Sequence, residues 1–131
     1  MACKQEAHRN KARALLRDAW SNGIYLIGPP LLEYEVESTL QHRLYHQRAN
    51  VSTVDSSLRS FYTIGVEIID DSRVTKHARE IARRFGQERI YDSIYAALAE
   101  LRGCEFWTAA KRFYDAAQAS LSFVHCLPDY S

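Results

Sequence analysis

The sequence contains little that would interrupt or cross-link a folded chain. Three prolines and five glycines are spread over 131 residues, which excludes a collagen-like repeat and a proline- or glycine-rich composition. Three cysteines (Cys3, Cys104 and Cys126) are an odd number without CxxC spacing, so we expect reduced thiols in a cytoplasmic protein. The polar N-terminus lacks the apolar segment of a secretory signal, and no apolar run approaches the ~20 residues that a membrane span needs.

The chain also has almost no net charge. Lysine and arginine number 17 and aspartate and glutamate 16, for a net charge of +1, so any contact with nucleic acid must come from a local basic patch. The hydrophobic fraction of 47% and the charged fraction of 25% are typical of a folded globular chain. The length predicts a single domain that spans residues 1–131.

Short apolar runs alternate with helical patterns along the chain. Apolar residues recur at helical spacing in six segments, which are residues 12–19, 32–44, 54–61, 78–85, 94–101 and 113–117. Strand candidates are residues 24–27, 66–69, 105–108 and 122–126. This alternation predicts a three-layer α/β/α fold with a mostly parallel sheet, whose ligands would bind beyond the carboxyl ends of the strands.

Two local signals predict where helices begin. Pro30 is predicted to occupy the first position of a helix, where proline is favoured. The pattern Ser52-x-x-Asp55 resembles a capping box. Asp92 precedes the helix that runs to Leu101, and it is interpreted either as an N-cap or as a metal ligand held at the start of that helix.

Few side chains form a pattern that indicates chemistry. His42 and His46 are one helical turn apart but lack the sequence of a zinc protease, so we interpret them as exposed polar residues. Glu35 is predicted to lie beside the apolar stripe of its helix, half-buried and turned inward. The basic residues around Arg79 and Arg83 form either a solvated face or a patch that contacts phosphates.

Three segments together resemble the PIN domain, and in particular the VapC-type toxin ribonucleases. They are GPPLLEYEVESTL at 28–40, YDSIYAALAELRGC at 91–104 and EFWTAAKRFY at 105–114, and their order and spacing match the family. The resemblance implies a ribonuclease that uses Mg²⁺ or Mn²⁺ held by four acidic residues, with oxygen ligands that suit these ions. It places Glu35 at the second acid, Asp92 at the third, and Thr108 at the threonine that ends the fourth strand.

The chain departs from the family pattern at two of the four acids. The position of the fourth acid is Ala110, and no apolar strand ending in aspartate precedes the first helix. In the family this opening strand lies in the middle of the sheet, so its loss would leave two strand edges unpaired. An extended path of the N-terminal segment, closure of the gap by neighbouring strands, a strand from another chain, or a shortened start would each resolve this.

Two hypotheses of function remain open at this point. The chain is either a PIN-domain endoribonuclease with lost or impaired catalysis, or a non-catalytic module that binds RNA or protein, so its status as an enzyme is undecided. The resemblance implies a homodimer, for which Leu44, Tyr45, Phe61 and Tyr62 offer surface, and a VapB-like antitoxin as a possible partner. RNA contacts are expected from the cations Lys111, Arg112, Arg79 and Arg83.

Overall fold

Helices dominate the chain, and short parallel strands lie between them. The computed structural model describes residues 9–131 together with the helical backbone of residues 2–8. Within these residues the helices are α1 (Ala2–Ser21), α2 (Leu31–Tyr45), α3 (Val51–Ile64), α4 (Val74–Arg84), α5 (Tyr91–Arg102) and α6 (Lys111–Ala117). The strands are β1 (Ile27–Gly28), β2 (Glu67–Ile68), β3 (Phe106–Thr108) and β4 (Val124–Cys126), and a 3₁₀ turn covers Leu127–Asp129.

The chain divides into two compact units. The first unit comprises the chain up to Ile24 together with Asp71–Ser131, and the second unit comprises Tyr25–Asp70. Each unit contains one pair of parallel strands, β3 with β4 in the first and β1 with β2 in the second. The predicted mixed α/β fold with parallel strands is therefore confirmed. Among the described residues, no helix combines the length and the apolar character needed to cross a membrane.

The core of the first unit is built from helices α4 and α5. Their buried side chains are mostly small, and they include Ala78, Ala82, Ala96, Ala97 and Ala99. Small side chains let two helix backbones approach closely, so this alanine-rich packing accounts for the tight contact between α4 and α5. Helix α5 ends at Arg102 and is capped by Gly103, whose φ of 65° lies in the left-handed region that favours glycine.

A carboxylate ties the beginning of α4 to the end of α5. The Asp71 side chain is only 7% exposed, and it accepts hydrogen bonds from the backbone N–H of Arg73 at 3.0 Å and from its guanidinium at 2.7 and 3.0 Å. The Arg102 guanidinium lies 3.7 Å from the same carboxylate. The hydrogen bonds from the Arg73 side chain are the main reason that the pKa of Asp71 falls well below its ordinary value.

The two faces of the β3–β4 pair carry different aromatic contacts. Phe106 stacks on Tyr95 and meets the edge of Phe113, a side chain of α6 that is 1% exposed. On the neighbouring positions Trp107 pairs in register with His125, and their rings stack at 4.7 Å. Alternation of side chains along a strand places these two sets on opposite faces of the pair.

The C-terminal segment is held against α1 by one tyrosine. The Tyr130 ring meets the edge of Trp107, and its hydroxyl donates a hydrogen bond to the Asp18 carboxylate at 2.6 Å. The ammonium of Lys11 donates to the backbone carbonyl of Tyr130. Since Asp18 and Lys11 both belong to α1, these contacts identify the side of this helix that faces the rest of the first unit.

The second unit is less buried than the first. Neither α2 nor α3 contains a buried residue. The predicted stripe of α2 (Leu32, Val36, Leu40 and Leu44) is half-buried, whereas Tyr34 and Tyr45 are exposed. A cross-helix hydrogen bond joins the Tyr62 hydroxyl of α3 to the Glu37 carboxylate of α2 at 3.0 Å, and this bond raises the pKa of Tyr62.

The structure corrects several predicted element boundaries. Helix α3 begins at Val51 with Asn50 as its N-cap, and the Asn50 side chain accepts from the Thr53 backbone N–H at 2.8 Å, so the predicted capping box at Ser52 is wrong. Helix α2 begins at Leu31, one residue after the predicted start at Pro30. The Asn50 side chain at the N-cap satisfies a backbone N–H group in the first turn of α3, and Ser52 therefore lies inside the helix.

The predicted buried strand at residues 24–27 is largely wrong. Ile24 is 60% exposed, and its backbone N–H donates to the Ala19 carbonyl, which closes the end of α1. Strand pairing with β2 is therefore confined to β1, flanked by a bond from the Glu67 N–H to the Leu26 carbonyl. Residues 2–21 are helical, so among the described residues no strand precedes β1.

Candidate functional site

Asp92 lies in the first turn of α5, where a negative charge is favoured by the helix dipole. The N-cap position is occupied by Ile90 and the helix begins at Tyr91, so Asp92 is the second helical residue and the N-cap interpretation is wrong. The residue is half-buried. The positive end of the helix dipole stabilises a carboxylate at this position.

Ser93, the next residue, was not identified from the sequence. It is fully buried, and its hydroxyl has no hydrogen-bond partner among the residues that the structure describes. A buried hydroxyl without a partner costs about 1–3 kcal/mol. A bound water or ligand group would satisfy this atom. The sequence gave no signal for Ser93 because the buried face of this helix was predicted from its apolar residues alone.

Thr108 has a structural role at the end of β3. It is 6% exposed, and its Oγ1 accepts a hydrogen bond from the backbone N–H of Ala110 at 3.0 Å. Ala110 is the N-cap of α6, and no side chain caps this helix. The position that the resemblance assigns to the fourth acid is thus a helix start that carries only a methyl group.

Glu35 differs from its predicted environment. The residue is exposed on α2, whereas the sequence predicted a half-buried carboxylate turned inward. The apolar stripe of α2 is itself only half-buried, so a side chain beside the stripe remains in solvent. Glu35 belongs to the second unit, and Asp92 and Thr108 belong to the first.

Side chains that could hold a divalent metal ion are spread over the described residues. No group of three or more histidine, cysteine, aspartate or glutamate side chains comes together among residues 9–131. The ring centroids of His42 and His46 lie 4.4 Å apart at the end of α2, and the ring planes are tilted by 55°. A Mg²⁺ ion bound through one or two protein carboxylates keeps several of its own waters, so such an ion does not require a cluster of three side chains.

The cations predicted to contact RNA are all exposed side chains of the first unit. Arg79 and Arg83 lie one turn apart on α4, and Arg112 lies in the first turn of α6. Lys111 is paired with Asp115, with its ammonium 2.9 Å from the carboxylate, and this pair raises the pKa of Lys111. Part of the charge of Lys111 is therefore already compensated within the protein.

Comparison with known proteins gives one result. The sequence matches the PIN domain family over residues 2–119, which cover all of the second unit, most of the first unit and all three resembling segments. The chain belongs to the PIN domain family, a family of nuclease type whose members generally act on RNA and depend on divalent metal ions. No curated protein and no solved structure matches the chain.

Proposed function

We propose that this chain is an RNA-binding PIN-domain protein of the VapC type in which nuclease catalysis is lost or severely impaired. The observation that carries the proposal is Ala110. It stands at the N-cap of α6, two residues after Thr108, where the family pattern has its fourth acid. The resemblance also finds no match for the first acid among residues 1–17, which contain no aspartate.

Coordination chemistry explains why these two changes matter. A divalent metal in a nuclease must activate a water and contact the scissile phosphate at once, which requires a defined position. Glu35 and Asp92 are the proposed remaining ligands for Mg²⁺ or Mn²⁺, and two carboxylates leave such an ion largely hydrated. A misplacement of about 1 Å can cost about 100-fold in rate.

Cleavage of RNA in the presence of Mn²⁺ tests this proposal. We expect binding of RNA with little or no cleavage, and weak Mn²⁺ binding in a calorimetric titration. Variants Glu35→Ala and Asp92→Ala should then behave like the unchanged chain in the cleavage assay, and Glu88→Ala, at an exposed position, serves as the matched control. Robust cleavage that both Glu35→Ala and Asp92→Ala abolish, and that Glu88→Ala leaves intact, would refute the proposal.

The exposed surface of the second unit supports a protein partner as well. Tyr45 is 78% exposed and Tyr62 is 53% exposed, while Leu44 and Phe61 are half-buried. Aromatic and apolar surface of this kind is enriched at interfaces, so we propose homodimerisation through α2 and α3 in the cytoplasm, with a VapB-like antitoxin as the other candidate partner. A chain that sediments as a monomer at tens of micromolar, well above the ~1 μM Kd of a standard interface, would contradict the homodimer.

A further inference from the structure

We infer that the outer face of α1 binds single-stranded RNA, through a row of arginines that ends in an exposed tryptophan. We call this face the α1 stripe, and it consists of Arg9, Arg13, Arg17 and Trp20. The inference rests on the proposed RNA binding and adds a binding surface to it. None of the four residues belongs to the family motifs at 28–40 and 91–114.

Helix geometry places the four side chains in one row. At 3.6 residues per turn, Arg9, Arg13, Arg17 and Trp20 fall within an arc of about 80°. The three arginines follow one another at steps of about 6 Å along the helix axis. All three are exposed, with 74% exposure for the Arg17 side chain, and Trp20 is 82% exposed.

The opposite side of α1 is occupied by the fold. Ala19 is buried, and Lys11 and Asp18 both contact Tyr130 of the C-terminal segment. The α1 stripe therefore faces away from the packed side of the helix. Within residues 9–21, every apolar side chain except Trp20 is half-buried or buried, which disfavours an amphipathic membrane helix over this part of α1.

The charge of α1 is local and unbalanced. Residues 9–21 carry four cations and one anion, for a net charge of +3 in a chain whose total is +1. The single anion, Asp18, lies 3.6 Å from Arg17 and also accepts the hydrogen bond of Tyr130. Arg9 and Arg13 have no oppositely charged partner within 4.0 Å among the described residues, so their guanidinium groups remain available to phosphates.

Tryptophan beside a row of cations indicates a single strand. Guanidinium groups contact phosphates whatever the sequence of the bases, and an aromatic ring provides a surface on which an unpaired base stacks. Bases inside a duplex are already stacked on each other and cannot occupy such a ring. Arginine and tryptophan are also enriched at protein interfaces, and it is the proposed RNA binding of this chain that favours a single strand as the occupant here.

Anisotropy of a labelled oligouridylate, titrated with the full chain in EDTA, tests the inference without any contribution from cleavage. The triple variant Arg9→Gln/Arg13→Gln/Arg17→Gln should bind about 100-fold more weakly at 0.1 M salt. The slope of log K against log salt concentration should become shallower by about 2, since each phosphate contact contributes ~0.7 to it. The triple Arg→Lys variant keeps the charges and should retain most of the affinity. The matched control Arg43→Gln/Arg48→Gln/Arg59→Gln removes the same charge from exposed positions of the second unit and should leave the slope nearly unchanged.

Trp20 has a separate readout. Trp20→Ala should weaken binding roughly 5- to 150-fold, the range measured for loss of one stacked base. RNA should quench the tryptophan fluorescence of the unchanged chain, and Trp20→Phe should remove this quenching although Trp107 is still present. Quenching that persists in Trp20→Phe, or equal affinity for a duplex, would overturn the assignment of Trp20.

The outcomes separate this inference from the proposed function. Binding that is equally strong in the glutamine triple variant and in its matched control would overturn the α1 stripe and leave the RNA-binding proposal standing. No binding of any RNA by the unchanged chain at low salt would overturn both. Binding to vesicles of anionic lipid but not to the oligouridylate would assign the same cations to a membrane surface and overturn the inference.

Discussion

Replacement of Ala110 by aspartate tests both the local structure and the family relationship. Ala110 is the N-cap of α6, its φ is −78° and its ψ is 89°, and its methyl side chain makes no capping hydrogen bond. An aspartate or asparagine at an N-cap stabilises a protein by about 0.5–2 kcal/mol relative to alanine. At about 4 °C per kcal/mol for a chain of this size, Ala110→Asp should raise Tm by ~2–8 °C.

Two matched variants separate helix capping from metal binding. Ala110→Asn supplies the same capping oxygen without a charge, so it should raise Tm by a similar amount in metal-free buffer. Ala109→Asp adds the same charge at an exposed position one residue before the cap. It should neither raise Tm in metal-free buffer nor gain stability from Mn²⁺. Only Ala110→Asp should gain further stability from Mn²⁺, by about 2.7 kcal/mol at a metal concentration 100 times Kd.

Calorimetric melting with and without Mn²⁺ decides between the two effects. If Ala110→Asn does not raise Tm, the capping argument is refuted. If Ala110→Asp caps the helix but gains no stability from Mn²⁺, the position does not correspond to the fourth acid of the family. Cleavage of RNA need not return in Ala110→Asp, because residues 1–17 offer no aspartate that could act as the proposed first acid.

Four further predictions follow from buried and charged side chains. Phe113→Ala should destabilise the first unit by about 3–5 kcal/mol in a denaturant titration, because it empties a fully packed site. Ser93→Ala should be neutral or stabilising by about 1 kcal/mol, because it removes a buried hydroxyl without a partner. Asp71, whose pKa is lowered, stabilises the fold at neutral pH. This contribution should fade as pH falls below the unfolded-state pKa of ~3.9, and Asp71→Asn should flatten the pH dependence there. Arg112→Gln should weaken RNA binding and its salt dependence more than Lys111→Gln, whose ammonium is already paired.

Each of these has a variant or an outcome that contradicts it. Phe113→Leu keeps most of the volume and should cost clearly less than the alanine variant. A loss of more than 1 kcal/mol in Ser93→Ala would mean that its hydroxyl makes a stabilising bond. If the free energy of unfolding of Asp71→Asn changes with pH between 2 and 4 as steeply as that of the unchanged chain, the linkage argument is contradicted. Equal effects of the two α6 variants would mean that the pairing of Lys111 does not limit its contact with RNA.

The sequence by itself determined the class of the fold and the family. Helical periodicity located α4 and α5, and the buried positions Ala78, Ile81 and Ala97 agree with the predicted apolar faces. These helices are predictable because one face of each is buried, so apolar residues recur along the sequence at helical spacing. The segment at 91–104 also carried the resemblance that the PIN match confirms.

Only the tertiary structure decided the surroundings of individual side chains. Glu35 is exposed and Ser93 is buried, although the sequence pattern suggested the reverse for Glu35 and gave no signal for Ser93. Asn50 rather than Ser52 caps α3, since both are good caps and the choice depends on where the preceding turn ends. Burial and capping at a given position depend on contacts with elements distant in the sequence, and local periodicity does not contain these contacts.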